Sequence, residues 1–412
     1  MNVFEEFAWR GMVSEATEGV QDALTNEKVT AYIGFDPTAS SLHVGSLLTV
    51  MGLARLQRYG HTPIAIVGGG TGMIGDPSGK SQERVLLSSE QIDRNVAGIR
   101  VQLEQFLDFD AAPNAARIVN NADWLGTIDV ISFLRDVGKH FTVGYMLQKE
   151  SVSRRLESED GISYTEFSYL VLQAYDFLQL FDRHHCVLQM GGSDQWGNIT
   201  AGIELIRKVR AKKAHGLVWP LMKTASGTKF GKTEHGTIWL DAERTSPYEF
   251  YQFFVNTDDR DVMNYLKVFT WLDRPAIEAL ARAVQDHPAA REAQRTLARE
   301  VTSMVHGPEG LARAEKETAA KFGGGDDEDI PAIELAAASF ADGMLHTDFM
   351  VATSLAQSKG EAMRTIKQGG FYLNDARVSD ERGKVTLADV VNGKIKARKG
   401  QRERRLVKLT GL

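Results

Sequence analysis

The chain has one cysteine in 412 residues, Cys186, so neither an intramolecular disulfide nor a cysteine-built zinc site is possible. No stretch approaches the roughly 18–20 consecutive apolar residues of a membrane span. Met1 to Met12 carries Glu5, Glu6 and Arg10 and lacks the basic start and apolar run of a secretory signal. A soluble, cytoplasmic protein that touches no membrane is therefore expected. Positive charge is not in excess either: 48 Lys and Arg against 54 Asp and Glu leave a net charge of −6 at pH 7. That balance argues against a protein that coats nucleic acid indiscriminately. There is no internal repeat, and no residue set is assigned to a metal.

What is present is ordinary in bulk and uneven in detail. With 43% hydrophobic and 25% charged residues the chain can bury a large core, and its length predicts two or three domains. Positive charge gathers at the end, where Lys394, Lys396, Arg398, Lys399, Arg402, Arg404, Arg405 and Lys408 stand against one acid, Glu403. A local basic face on an acidic protein fits selective contact with a polyanion, and a solvated tail is the plain alternative.

The first half alternates strand-like and helix-like stretches, which predicts an α/β fold with a parallel sheet. Val29–Phe35, Ile64–Val67, Val187–Met190 and Leu217–Met222 read as strands. Leu42 to Tyr59, Asn198 to Lys208 and Tyr164 to Phe181 read as helices. A mostly helical stretch from about Asn114 separates the two halves of the sheet, and its first part reads as an insertion. From Pro247 to about Phe322 the pattern is helical throughout. Gly323-Gly324-Gly325-Asp326-Asp327-Glu328-Asp329 cannot pack a core and reads as a linker.

Three polar clusters fall at strand ends, where open α/β sheets bind ligands. After the first strand come Gly34-Phe35-Asp36-Pro37-Thr38 and then His43-Val44-Gly45-Ser46, opening a helix. A helix amino terminus attracts phosphate, and Gly45 would let a nucleotide approach the backbone. A helix-capping histidine is the plain reading of His43. After the second strand comes a glycine-rich run, Gly68 to Ser81, that includes Asp76 and Lys80, with Arg84 nearby. Its Gly79-Lys80-Ser81 resembles a P-loop, but Ile74 stands where that motif needs glycine, which removes the main support for a kinase or GTPase. After the third come Gly191-Gly192-Ser193-Asp194-Gln195-Trp196-Gly197-Asn198. Lys229-Phe230-Gly231-Lys232-Thr233 lies in a separate loop, and its lysines suit a phosphate. Tyr169, Gln173 and Asp176 share a helix face, which points either to water or into a pocket.

In this order the segments resemble bacterial tyrosyl-tRNA synthetases, of the class I aminoacyl-tRNA synthetase family, over nearly the whole chain. His43-Val44-Gly45-Ser46 resembles the "HIGH" signature and Lys229 to Thr233 the tyrosyl form of "KMSKS". Ser46 departs from the second signature histidine, and Ile33 replaces a polar contact that some members have. The resemblance implies a Rossmann-like catalytic domain over 1–222 with an insertion at about 114–165, and a mobile lysine loop and linker at 223–246. It further implies an α-helical anticodon-binding domain at 247–325, a linker at 326–344 and a small α+β RNA-binding domain at 345–412.

It also implies the activity, in which tyrosine and ATP give tyrosyl-adenylate and the tyrosyl group then passes to tRNA(Tyr). ATP with Mg²⁺ would be substrate, no tightly bound cofactor is expected, and the family is dimeric, with the insertion near Asp129–Lys149 at the interface. By resemblance Thr38, His43, Ser46, Lys80, Arg84, Lys229, Lys232 and Thr233 serve catalysis. Tyr32 and Asp176 would hold the phenol, Asp76, Tyr169 and Gln173 the ammonium group, and Gln195 the reacting carboxylate and phosphate. Gly34, Asp36, Gly45, Gly192, Asp194 and Lys232 would meet ATP. Lys359, Arg364, Arg398, Lys399, Arg404 and Arg405 would meet tRNA. A tryptophanyl synthetase and a non-catalytic RNA-binding paralogue are the rival readings.

Overall fold

Strands covered on both faces need apolar side chains at nearly every position. Thr30–Phe35 and Thr62–Val67 meet that need, and in the computed structural model they pair in parallel at the middle of a sheet. Residues 2–78, 87–157, 161–228, 230–233, 236–322, 331–374, 376–380, 382–391, 393–400 and 403–410 are described, residues 232, 233 and 322 by their backbone only. The chain divides into two compact units, Met1–Gly307 and Pro308–Leu412.

In the first unit the strands are β1 (Glu15–Ala16), β2 (Thr30–Phe35), β3 (Thr62–Val67), β4 (Arg117–Asn120), β5 (Cys186–Gly192) and β6 (His215–Trp219). They form one sheet in the order β1-β6-β5-β2-β3-β4, parallel except for the edge strand β1. The order reverses between β2 and β5, so a crevice opens beyond their carboxyl ends. The four expected strands are present, the last ending at Trp219 rather than Met222. β4 corrects the reading of 114–165 as a helical insertion: its residues belong to the sheet, and only the segment after β4 is built of short helices.

Four helices frame the crevice: α1 (Val44–Arg58), α2 (Ser89–Leu103), α3 (Tyr164–His184) and α4 (Trp196–Arg210). Ser88 and Ser163 cap α2 and α3 by accepting the N–H of Gln91 and Glu166. The buried face of α3 presents Leu170, Ala174, Phe177 and Leu178 to the sheet. A fully buried ion pair, Arg155 to Glu166 at 2.8 Å, joins its first turn to the preceding segment. The region after Pro247 is helical as expected, and Arg10 and Arg55 donate to the carbonyls of Lys267 and Thr270 there. Helix Glu292–Phe322 breaks at Gly307-Pro308, where proline cannot continue the hydrogen-bond ladder.

The second unit carries a five-stranded sheet ordered Ala376–Val378, Phe371–Leu373, Lys394–Lys399, Glu403–Thr410 and Ala332–Ala336. Helices His346–Ala352 and Lys359–Lys367 accompany it, and Phe349, Ile366, Phe371, Ile395 and Val407 form the core. The expected linker 326–344 needs correction, because Ala332–Ala336 pairs in parallel with the last strand and Phe340 enters the core. Residues 323–330 lie outside the described residues.

Candidate active site

Burial sets the character of the crevice floor. Asp176, on α3, is a buried carboxylate whose two oxygens accept from Trp124 Nε1 at 2.7 Å and Asn121 Nδ2 at 2.9 Å. Burial raises its pKa from 3.8 to about 7; the two hydrogen bonds oppose the rise, and the charge of Asp36 adds to it. Tyr32, on β2, is buried beside it, and its ring lies 5.2 Å from that of Phe177. Burial first, then the charges of Asp176 and Cys186, push the phenol well above its usual pKa, so it stays neutral. Its hydroxyl has no hydrogen-bond partner among the described residues. A buried, unbonded hydroxyl next to a carboxylate held by two fixed donors is an incomplete polar site.

A second network joins the loop after β3 to α3 and α4. Gln195 Nε2 donates to Asp76 Oδ2 at 2.7 Å, and Gln173 Nε2 donates to Gln195 Oε1 at 3.1 Å. Asn198 Nδ2 donates to Gln173 Oε1 at 2.9 Å and to Ser78 Oγ at 3.3 Å. The Ser78 N–H closes a turn onto Asp76 Oδ1 at 2.8 Å. The Tyr169 hydroxyl lies 3.3 Å from both oxygens of Asp36, which also accepts from Thr71 Oγ1 at 3.4 Å. Asp36 is thus tied to α3 as well as placed at the end of β2. The face carrying Tyr169, Gln173 and Asp176 points inward, which decides against the solvated alternative.

At the crevice mouth, His43 occupies the N-cap position of α1 but makes no side-chain cap, which departs from the plain reading of it. A Cβ at Gly45 would stand 2.8 Å from the His43 ring, so glycine there leaves room for the imidazole. Ser46 sits in the first turn, its N–H bonded to His43 O at 2.8 Å. Thr38 and Gly34 are exposed, and so is Asp194. A Cβ at Gly192 would come within 2.6 Å of Asp194 Oδ1, so glycine there leaves room for that carboxylate beside the strand end.

The lysine loop reaches the same place by its backbone. Lys232–Thr233 pairs with Gly236–Thr237, Val44 N–H donates to Ile238 O at 3.0 Å, and Leu240 N–H donates to Leu42 O at 2.9 Å. Lys80, Arg84 and Lys229 lie outside the described residues, as do the side chains of Lys232 and Thr233.

Several residues escaped the sequence reading. Asn121 and Trp124 hold Asp176, and Thr71 accepts from Asn121 Nδ2 at 2.9 Å. Asn120 and Asn121 also accept the N–H groups of Gly69 and Gly70, which explains part of the glycine run. They come at the end of a strand too short to register as a pattern, and only its pairing with β3 delivers them.

The expected RNA contacts separate into groups in the second unit. Arg398 and Arg404 stand opposite each other on neighbouring strands, and Arg405 lines a groove beside them. Lys359 and Lys399 are engaged in ion pairs with Asp348 at 2.5 Å and Glu361 at 2.6 Å, and Arg364 is exposed in the last turn of its helix.

A family model of class I tRNA synthetases (W and Y) matches residues 24–323. The tyrosine–tRNA ligase of Roseiflexus castenholzii is 54% identical over 420 residues, 99% of each chain. That of Geobacillus stearothermophilus is 50% identical, over 99% of this chain and 100% of that one. Among solved structures, a C-terminally truncated mitochondrial tyrosyl-tRNA synthetase of Aspergillus nidulans superposes with a TM-score of 0.70 at 31% identity, covering 76% of this chain and 92% of that one. The chain belongs to the tyrosine–tRNA ligase family of class I tRNA synthetases.

Proposed function

We propose that the crevice between β2 and β5 holds tyrosine and ATP side by side and there performs the reaction of a tyrosine–tRNA ligase. The activity is that of the family: tyrosine and ATP give tyrosyl-adenylate and pyrophosphate, and the tyrosyl group then passes to the 3′ end of tRNA(Tyr). The observation that carries the site assignment is the Tyr32 hydroxyl, buried without a partner beside the ionisable Asp176. A bound phenol supplies what both lack, accepting from Tyr32 or donating to Asp176. Phenylalanine would enter the same slot, leave the Tyr32 hydroxyl unpaired and give Asp176 no further partner, which is the physical basis for rejecting it.

In this reading Asp76 and Gln173 receive the ammonium group, with Tyr169 in support through Asp36, and Gln195 orients the carboxylate. That carboxylate is already nucleophilic, so its attack on the α-phosphate requires no general base. Catalysis then lies in positioning and in meeting the charge of the departing pyrophosphate. Thr38, His43, Ser46, Lys80, Arg84, Lys229, Lys232 and Thr233 are assigned to that charge. Gly34, Asp36, Gly45, Gly192 and Asp194 are assigned to the nucleotide, and Mg²⁺ arrives with ATP. Support for a shared crevice comes from the backbone ties between the lysine loop and the start of α1.

A homodimer and a cytoplasmic location belong to the same reading. Val130 and Ile131, each 66% exposed, and Val143, 63% exposed, are large apolar side chains open to solvent on the insertion, where a second copy would cover them. Among the described residues no helix is long and apolar enough to cross a membrane. Exchange of labelled pyrophosphate into ATP tests the function: it should depend on tyrosine and not on phenylalanine or tryptophan. Asp176→Ala should abolish that exchange; a wild-type rate in the variant would refute the assignment. The variant should also be less stable, because buried Trp124 Nε1 loses its acceptor and Asn121 Nδ2 loses one of its two.

A further inference from the structure

A groove of about 400 Å³ lies in the first unit, where the last turn of α1, the turn between α2 and β4, and the helical region after Pro247 come together. Ala54, Phe106, Ala111, Trp271 and Met304 form its apolar wall. Helix α1 carries His43 before its first turn and Arg58 in its last. At about 1.5 Å of rise per residue, the groove therefore stands roughly 20 Å from the crevice mouth.

The walls are fixed before any ligand arrives. Gln57 Oε1 accepts the Asp108 N–H at 3.0 Å, and Gln57 Nε2 donates to Asn114 O at 3.2 Å. Asn114 Nδ2 donates back to Gln57 O at 2.8 Å and to His61 O at 3.0 Å. Arg55 ties the same end of α1 to Thr270 O at 2.7 Å, next to Trp271. A site already ordered in this way binds without the cost of immobilising its own loops.

Two charges line the groove, and they do not neutralise each other. The Arg58 guanidinium lies over Trp271, 3.4 Å from the ring centroid, and among the described residues its N–H groups meet no acceptor. Asp108 Oδ1 accepts the Asp110 N–H at 2.9 Å, while Oδ2 has no partner among the described residues. A guanidinium stacked on a ring still offers its N–H edge to a carboxylate, and a carboxylate with a free oxygen suits an ammonium group.

We propose that this groove is a second small-molecule site, taking an amino acid with an apolar side chain. Its carboxylate meets Arg58, its ammonium group meets Asp108, and its side chain lies against Phe106, Trp271 and Met304. A simple anion or a simple amine satisfies only one of the two charges. The site does not depend on the tyrosine reading of the crevice.

Isothermal titration calorimetry with the full chain tests it, the crevice first being filled with a non-hydrolysable tyrosyl-adenylate analogue. L-Phenylalanine is the probe, 3-phenylpropionate lacks its ammonium group, and 2-phenylethylamine lacks its carboxylate. Phenylalanine should bind saturably, and each fragment about tenfold more weakly or worse, the loss of one hydrogen bond to a charged group. Arg58→Gln should weaken phenylalanine about tenfold and leave 2-phenylethylamine unchanged. Asp108→Asn, which keeps an acceptor for the Asp110 N–H, should weaken phenylalanine by a similar factor and leave 3-phenylpropionate unchanged. Tyrosine-dependent pyrophosphate exchange should run at the wild-type rate in both variants and so reports an intact fold. No saturable binding of phenylalanine, a fragment that binds as tightly as phenylalanine, or wild-type affinity in either variant overturns the second site. Failure of the adenylate analogue to bind would instead count against the crevice reading and leave the comparison of variants valid.

Discussion

Replacing Tyr32 with phenylalanine removes one oxygen from a place where it has no partner. A buried hydroxyl left unbonded costs about 1–3 kcal/mol, so the free protein should melt at the same temperature as wild type or higher. The ring keeps its packing 5.2 Å from Phe177, which rules out a cavity as a compensating loss. With tyrosine bound, the hydroxyl gains a neutral hydrogen bond worth about 0.5–1.5 kcal/mol. Since about 1.4 kcal/mol corresponds to tenfold, kcat/KM for tyrosine should fall about 2- to 12-fold. For phenylalanine kcat/KM should stay near the wild-type value, because the hydroxyl is unbonded both before and after that ligand enters. Pyrophosphate exchange with each amino acid and a calorimetric melt measure both sides. A melting temperature several degrees lower, with kcat/KM for tyrosine intact, would make Tyr32 a structural residue and refute the reasoning.

Two further perturbations probe the same geometry. Because burial raises the Asp176 pKa to about 7, the folded chain holds a proton there that the unfolded chain releases near pH 3.8. This group's contribution to stability is therefore full below about pH 4 and is lost as pH rises through about 7. The stability difference between wild type and Asp176→Asn should fall over that window. A phenol donating to the ionised carboxylate has the opposite preference, so KM for tyrosine should rise as pH drops below about 7; a KM flat across that pH would contradict it. Gly192→Ala places a Cβ 2.6 Å from Asp194 Oδ1 and 3.2 Å from Leu221. KM for ATP should rise severalfold in exchange assays while tyrosine binding measured by calorimetry stays constant; equal losses would mean a general distortion of the strand end.

How much the sequence conveyed depended on the length and burial of each element. β2, β3, β5 and β6 lie inside the sheet and announce themselves as apolar runs, and α3 carries its apolar stripe over 21 residues. β4 has four residues, none fully buried, and β1 has two exposed ones, so neither leaves a period to read. Ala332–Ala336 likewise alternates between exposed and half-buried positions, and only its pairing with the last strand makes it part of the small domain. The polar residues of the site were legible where they come directly after a strong strand, as Asp36, Asp76 and Gln195 do. Asn121 and Trp124 were not, because their role comes from a contact 55 and 52 residues away in the chain.

The central claim is that the phenol of tyrosine completes the pair Tyr32 and Asp176. A crystal structure of the full chain with L-tyrosine tests it most directly. The phenolic oxygen should lie about 2.5–3.0 Å from both Tyr32 Oη and an Asp176 carboxylate oxygen, with the ammonium group near Asp76 and Gln173. Tyrosine seated with its phenol away from both residues, or its ring outside the crevice between β2 and β5, would contradict the account.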